Sequence, residues 1–390
     1  MRQLLTKPAF LFFLLVASVG LHTLFFSEKP TDSVSERIVL NDANDIVTGN
    51  HKWGIGLTNK YCQCTHYFVY THYPNGPAYI LTPFILLGIK DSTHLRLVPI
   101  FLSALAFSFL YYSILKSQKS FITKLAFTFI FVLLLYQPGI RNWLKALHEH
   151  AYWVALASFT PALIILNKNS FSISLLLGFI IGWIGYDFIP GLMLAIFTLI
   201  WVKQSFTTNS NLLVAVKPAI KKFFPFIFGL LLAIILHLIQ NSLYYGSLID
   251  AYNDLFGSLF VRMGIQDWGS ELNPTYYNNI VNAFKGNMIQ SRWKNLSRFF
   301  DFSPRLTFNL PSIFITSLLL LFLVISKFIQ LSKQHRLTLL IGLFFAGFSG
   351  IIWHLAVPWH AHFHFYFTYR NLFISYFATI AILNLRTKHK

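Results

Sequence analysis

The sequence predicts an all-α polytopic membrane protein with about ten transmembrane helices, and three observations predict it. Only 11% of the 390 residues are charged, against about a quarter in a soluble domain. The chain is 55% hydrophobic and carries 42 Phe, in runs approaching the roughly 20 apolar residues that a bilayer span needs. Its charges are also sorted by sign along the chain. These features exclude a soluble enzyme, a disordered protein and a secreted disulfide scaffold.

The first apolar run, 8–26, follows Arg2 and Lys7. No small-residue cleavage site follows it, which predicts an uncleaved anchor with a cytoplasmic N-terminus. Residues 76–89 (GPAYILTPFILLGI) are apolar but short, which fits an interfacial or dipping helix better than a span. Further spans are predicted at 95–115, 121–137, 151–167, 171–187, 188–202, 223–241, 312–331, 337–353 and 371–385. No repeat or separate soluble domain interrupts them, so 1–390 reads as one transmembrane domain.

Threading the chain through these spans sorts its charges. Sixteen of the 31 basic residues, from Arg2 to Lys390, fall in short cytoplasmic segments, and all thirteen acidic residues fall on the other side. That is the positive-inside pattern. It accounts for the net charge of +18 without nucleic acid, and it places the C-terminus in the cytoplasm too. Two outer segments are long, 27–94 and 242–311, and two are short, 138–150 and 354–370. Nearly every group capable of chemistry lies in these four.

The first long loop opens with SERIVLNDANDIV (35–47). As a helix it places Val39, Leu40, Ala43, Ile46 and Val47 on one face, Asp45 nearly opposite and Asp42 at the edge. A solvated amphipathic helix and a catalytic carboxylate both fit. His72 and Tyr73 then enter a Pro- and Gly-containing turn, 72–77, that leads into the short apolar segment. Cys62 and Cys64, the only cysteines, are too close for an unstrained bridge.

The second cluster runs from Arg141 through His148, Glu149 and His150. An acid at a membrane boundary is costly unless it is paired or used. The two histidines fit metal ligation, or a hydrogen-bonding, phosphate-facing role that the i, i+2 spacing favours. Asp187, in GWIGYDFIPG (182–191), is an acid in an apolar stretch. It reads as functional or as a charge capping the turn between spans. The last cluster is His354, His360, His362, His364 and Arg370. It fits a metal strip, an aromatic–histidine belt, or a phosphate clamp completed by Arg370. The loop 242–311 holds Asp250, Asp254, Asp267 and Glu271, then the basic run Lys285, Arg292, Lys294, Arg298 and Arg305. A lid over an anionic headgroup or a sugar fits, and so does a solvated loop.

Asn41-Asp42-Ala43, then Thr71-His72-Tyr73-Pro74-Asn75-Gly76-Pro77, then Leu87-Gly88, then His94-Leu95-Arg96 follow one N-terminal span. In this order, over about residues 8–190, the chain resembles the GT-C superfamily of polytopic glycosyltransferases. More narrowly it resembles the bacterial branch with protein-mannosyltransferase and lipid-A aminoarabinose-transferase folds. It departs where that family commonly has Asp-Glu, and where Asn75 interrupts paired prolines. The resemblance implies a GT-C-like fold and inverting transfer of a sugar from a polyprenyl-phosphate donor to a glycan, lipid or protein acceptor. Asp42 would be the base, with Asp45 the second candidate and Glu149 at the second acidic position. Arg141, His148, His150, His364 and Arg370 would meet the donor phosphate, and His72, Tyr73 and Asp187 the substrate. It implies a bacterial inner membrane, a periplasmic site and contact with membrane lipid. No metal ligand or cofactor is assigned, and a divalent cation is left open.

Three other functions compete. They are a flippase of lipid-linked sugars, an O-antigen ligase or polymerase, and a histidine-based membrane acyltransferase or metalloenzyme.

Overall fold

The structure is a computed structural model, and it describes residues 7–26, 33–58, 71, 74–262, 309–357 and 371–387. Helix α1 spans Lys7–Phe26, and α2 spans Ser33–Thr48. A hairpin of β1 (His51–Lys52) and β2 (Ile55–Gly56) follows. Then come α3 (Gly76–Leu86), α4 (Ser92–Leu95), α5 (Leu97–Ser117), α6 (Phe121–Leu135) and α7 (Pro138–Leu144). The bundle continues with α8 (Glu149–Ile165), α9 (Phe171–Ile184), α10 (Ile189–Thr208), α11 (Leu212–Tyr245) and α12 (Leu248–Arg262). It closes with α13 (Leu310–Gln330), α14 (Lys333–Ser349), α15 (Ile352–Ala356) and α16 (Asn371–Leu383).

A helix occupies each of the ten segments read as spans. Among the described residues, five apolar helices are long enough to cross a bilayer: Lys7–Phe26, Ser92–Ser117, Ile189–Thr208, Leu212–Tyr245 and Pro311–Gln330. The α6–α7 pair makes a sixth if its 73° bend lies within one span. The protein is membrane-embedded and helical, with the small hairpin as an exception to the all-α expectation.

Three boundaries differ from the expectation. Residues 203–222 are helical except for 209–211, because Lys217, Lys221 and Lys222 are exposed while Leu212, Ala215 and Ala219 face inward. That spacing starts an amphipathic helix, so the lysines extend α11 where they suggested a loop. At 34 residues and 1.5 Å per residue, α11 reaches about 51 Å, longer than the roughly 30 Å hydrocarbon core. The segment 138–150 contains α7, which Pro138 starts. The loop expected at 242–311 begins with the end of α11 and with α12.

Helices α9 and α11 pack backbone to backbone. A Cβ at Gly178 would stand 2.1 Å from the Phe226 carbonyl oxygen, and one at Gly229 2.0 Å from that of Leu175. Gly182 faces Ala233. Small residues four apart on both partners permit this approach, the usual device where lipid offers no hydrophobic drive.

One end of the bundle gathers basic residues. Lys203 donates to the Ile164 carbonyl at the end of α8. Lys327 donates to Leu383 and Leu385 at the end of α16, at 2.7 and 2.6 Å. Arg336 reaches the Phe328 carbonyl in the last turn of α13 and that of Leu331 just after it, both at 2.9 Å. Arg386 reaches Lys116 at the end of α5, at 2.9 Å. At this same end Ser120, Ser170, Asn211 and Ser332 cap the starts of α6, α9, α11 and α14. Orphan amides and carbonyls are thus satisfied in pairs.

Candidate functional site

The acidic end is built differently. Helix α2 lays Val39, Leu40, Ala43, Ile46 and Val47 against α3, Leu95 and Leu147, on the face its sequence predicts. Its first turn is locked by a buried ion pair. Arg96 holds both oxygens of Glu36 at 2.7 Å. The Leu147 amide also donates to Glu36, at 3.2 Å, and Arg96 donates to the Lys145 carbonyl at 2.9 Å. Lys145 donates to the Thr23 carbonyl at 3.2 Å. Burial holds the Lys145 ammonium below its usual range and neighbouring Arg96 lowers it further, while Glu36 opposes both. Helices α1, α2, α5 and the α7–α8 junction therefore meet at one charged knot.

The other face of α2 carries the two carboxylates. Asp42 is 1% exposed and Asp45 5% exposed, so this helix is not the solvated one its composition allows. Asp45 accepts from the Thr58 amide at 2.9 Å, from the Thr58 hydroxyl at 2.6 Å and from Asn50 at 3.3 Å. It anchors the chain around the hairpin. Gly56 lies between the two acids: a Cβ there would stand 2.3 Å from an Asp42 oxygen and 2.8 Å from an Asp45 oxygen. Only a residue without a side chain lets the hairpin come this close.

The hairpin turn is Trp53-Gly54, with φ +56° and +79°. Two central residues at positive φ make the turn type that matches strand twist, yet a bulky residue there is strained. Three contacts hold it. Gln240 donates to the Trp53 carbonyl at 2.8 Å, the Tyr79 hydroxyl donates to the Gly54 carbonyl at 3.2 Å, and Lys52 donates to the Tyr244 carbonyl at 2.6 Å. The Trp53 indole is left exposed. Burial raises the Tyr79 phenol, the Gln240 bond lowers it, and the nearby Asp42 charge raises it again.

The same end of α11 presents three more polar groups. Asn241 donates to the Thr71 carbonyl at 2.6 Å, and the Thr71 hydroxyl donates to Asp254 of α12 at 2.7 Å. Thr71 also lies 2.6 Å from the Tyr245 hydroxyl. His237 bonds Tyr186 at 2.6 Å, at the break between α9 and α10. Asp187 is half-buried in that break. Phe188 beside it packs its ring 5.7 Å from His150 and 4.9 Å from Trp153.

His148 and His150 are buried and flank Glu149. Their rings lie 3.8 Å apart, edge to face. Glu149 stands 3.2 Å from His150 Nδ1 and 3.7 Å from His148 Nδ1. His148 caps α8 and accepts the His150 amide at 3.4 Å, while Glu149 in the first turn suits the helix dipole. A carboxylate between two imidazoles repels a phosphate and suits a cation. Arg141 on α7 stacks over Tyr136 at 5.5 Å, and its Nε has no hydrogen-bond partner among the described residues.

Of the residues singled out from sequence, Asp42 and Asp45 lie together on α2 against Gly56. Arg141, His148, Glu149, His150 and Asp187 gather around α7, the start of α8 and the α9–α10 break. His72, Tyr73, His364 and Arg370 lie outside the described residues. Sequence reasoning missed Glu36, Tyr79, Gln240 and Asn241. The signal for part of this existed: His237, Gln240 and Asn241 are polar residues at i, i+3, i+4 in an apolar run.

No family model, curated protein or solved structure matches the chain.

Proposed function

We propose that this protein is an inverting glycosyltransferase with a GT-C-like architecture, using a polyprenyl-phosphate sugar at the outer face of a bacterial inner membrane. The observation that carries this reading is Asp42, buried on a helix outside the spans and set against Gly56 and Tyr79. It is the residue on which the motif resemblance puts the base. Asp45, the other candidate, has its oxygens committed to Thr58 and Asn50.

In this reading an acceptor hydroxyl or amine attacks the anomeric carbon from the side opposite the phosphate. The bond from that carbon to the phosphate oxygen breaks, and polyprenyl phosphate leaves with the electron pair. Asp42 takes the acceptor proton, a role that contributes about 10²- to 10⁴-fold. Arg141 is the described cation suited to the leaving phosphate. The hairpin, held by Gln240 and Tyr79, sets Gly56 against the carboxylates and leaves the Trp53 indole exposed. A glycan, lipid or protein supplies the acceptor.

The test offers polyprenyl-phosphate sugars to the protein in nanodiscs and follows released polyprenyl phosphate by mass spectrometry. The expected result is release by wild type and none by Asp42→Asn. Tight donor binding without release, even with a cell-envelope extract as acceptor, would replace this reading with a flippase.

A further inference from the structure

We propose that His148, Glu149 and His150 form a binding site for a divalent first-row transition metal, with Zn²⁺ the ion its chemistry fits. Among the described residues this is the one group of three metal-ligating side chains close enough to share an ion, with ligand atoms all within 4.8 Å of one another. Zn²⁺ bonds nitrogen and oxygen at about 2.0–2.2 Å, so tetrahedral ligands stand roughly 3.3–3.6 Å apart. The Glu149 carboxylate stands 3.2 Å from His150 Nδ1, close to that spacing, and His148, whose Nδ1 accepts the His150 amide, would ligate through Nε2.

The donor set selects the ion. Two imidazoles and one carboxylate suit Zn²⁺ and its neighbours, whereas Mg²⁺ and Ca²⁺ prefer all-oxygen shells. The positive end of α8 opposes a cation, and Glu149 at that same end offsets it. The surroundings are apolar: His150 lines a small cavity with Trp143, Trp153, Phe188 and Phe373. A dry shell of this kind strengthens ion–ligand attraction and limits the exchange of ligands with water. The spacing along the chain, i, i+1, i+2, is unlike a helical metal pair. It works here because His148 is the extended cap before α8, while His150 is already in the helix.

This inference stands apart from the glycosyltransferase reading, because metal binding is measured without turnover. The full chain in nanodiscs is stripped with a chelator and titrated with Co²⁺, followed by visible d–d absorption and by metal content. The expected result is one Co²⁺ per chain, displaced by Zn²⁺ and unaffected by excess Mg²⁺. Glu149→Gln and His150→Ala should each weaken Co²⁺ binding by at least the roughly 10- to 100-fold that changes beyond the ligand shell cost. The double variant His360→Ala/His362→Ala should bind as wild type does. Wild type that takes up no stoichiometric Co²⁺ overturns the proposal, whatever the variants do. So does binding that survives both Glu149→Gln and His150→Ala, or that is lost in the double variant alone. Should His150→Ala not fold, the near-isosteric Glu149→Gln carries the comparison.

Discussion

The two ends of the bundle use charge in opposite ways. At the basic end, Lys203, Lys327, Arg336 and Arg386 each donate to helix-terminal carbonyls. Ser and Asn side chains cap the helices that start there. Those polar groups are spent on the backbone. At the acidic end Lys52 and Lys145 also donate to backbone carbonyls, but there side chains meet side chains as well: Glu36 with Arg96, Asp45 with Thr58, Glu149 with His148 and His150. Charges committed to backbone carbonyls hold a fold. Charges gathered around one another in a dry setting can do chemistry or bind ions. The difference teaches that net charge says little here, and that the partner of each charge says much.

Variants at the two ends can break or sharpen that contrast. The largest effect is expected at Asp42, where Asn should lower transfer by about 10²- to 10⁴-fold with an unchanged melting temperature, read by donor release and thermal unfolding. Next is Arg96→Ala, which strands the buried Glu36 carboxylate. Breaking a buried pair from one side costs about 3–5 kcal/mol, to be read as lost thermal stability, with activity falling only as folded protein is lost. Lys327→Met should come third. It leaves the Leu383 and Leu385 carbonyls unpartnered by Lys327, at a cost of about 1–3 kcal/mol, while transfer per folded molecule stays at the wild-type level. The smallest effect is expected from Gln240→Ala. It removes one clasp from the strained hairpin, worth about 1 kcal/mol, and should raise the acceptor KM more than it lowers kcat.

How much of this was legible in the sequence differs between the two ends. Hydropathy places a helix in each of the ten segments read as spans, and the apolar stripe of α2 is read correctly from Val39 to Val47, because both patterns are local. The charge sorting also reads directly. The capping role of Lys203 and Lys327 does not, since their acceptors lie on helices distant in sequence. Lys217, Lys221 and Lys222 mislead for a physical reason: a run of lysines resembles a loop until the buried Leu212, Ala215 and Ala219 beside them are noticed. The hairpin escapes notice because its strands are two residues each. Glu36 and Arg96 are 60 residues apart, and nothing local announces their pairing. Asp42 and Asp45 are both visible as candidates, but the bonds of Asp45 to Thr58 and Asn50 are legible only in three dimensions.

The measurement that tests the central contrast most directly is a paired one on wild type, Asp42→Asn and Lys327→Met in identical nanodiscs, recording donor release and melting temperature together. The account predicts that Asp42→Asn loses release and keeps its melting temperature, while Lys327→Met loses melting temperature and keeps release per folded molecule. If Lys327→Met lost release at full stability, or if Asp42→Asn lost stability in step with release, the division of labour between the two ends would be wrong.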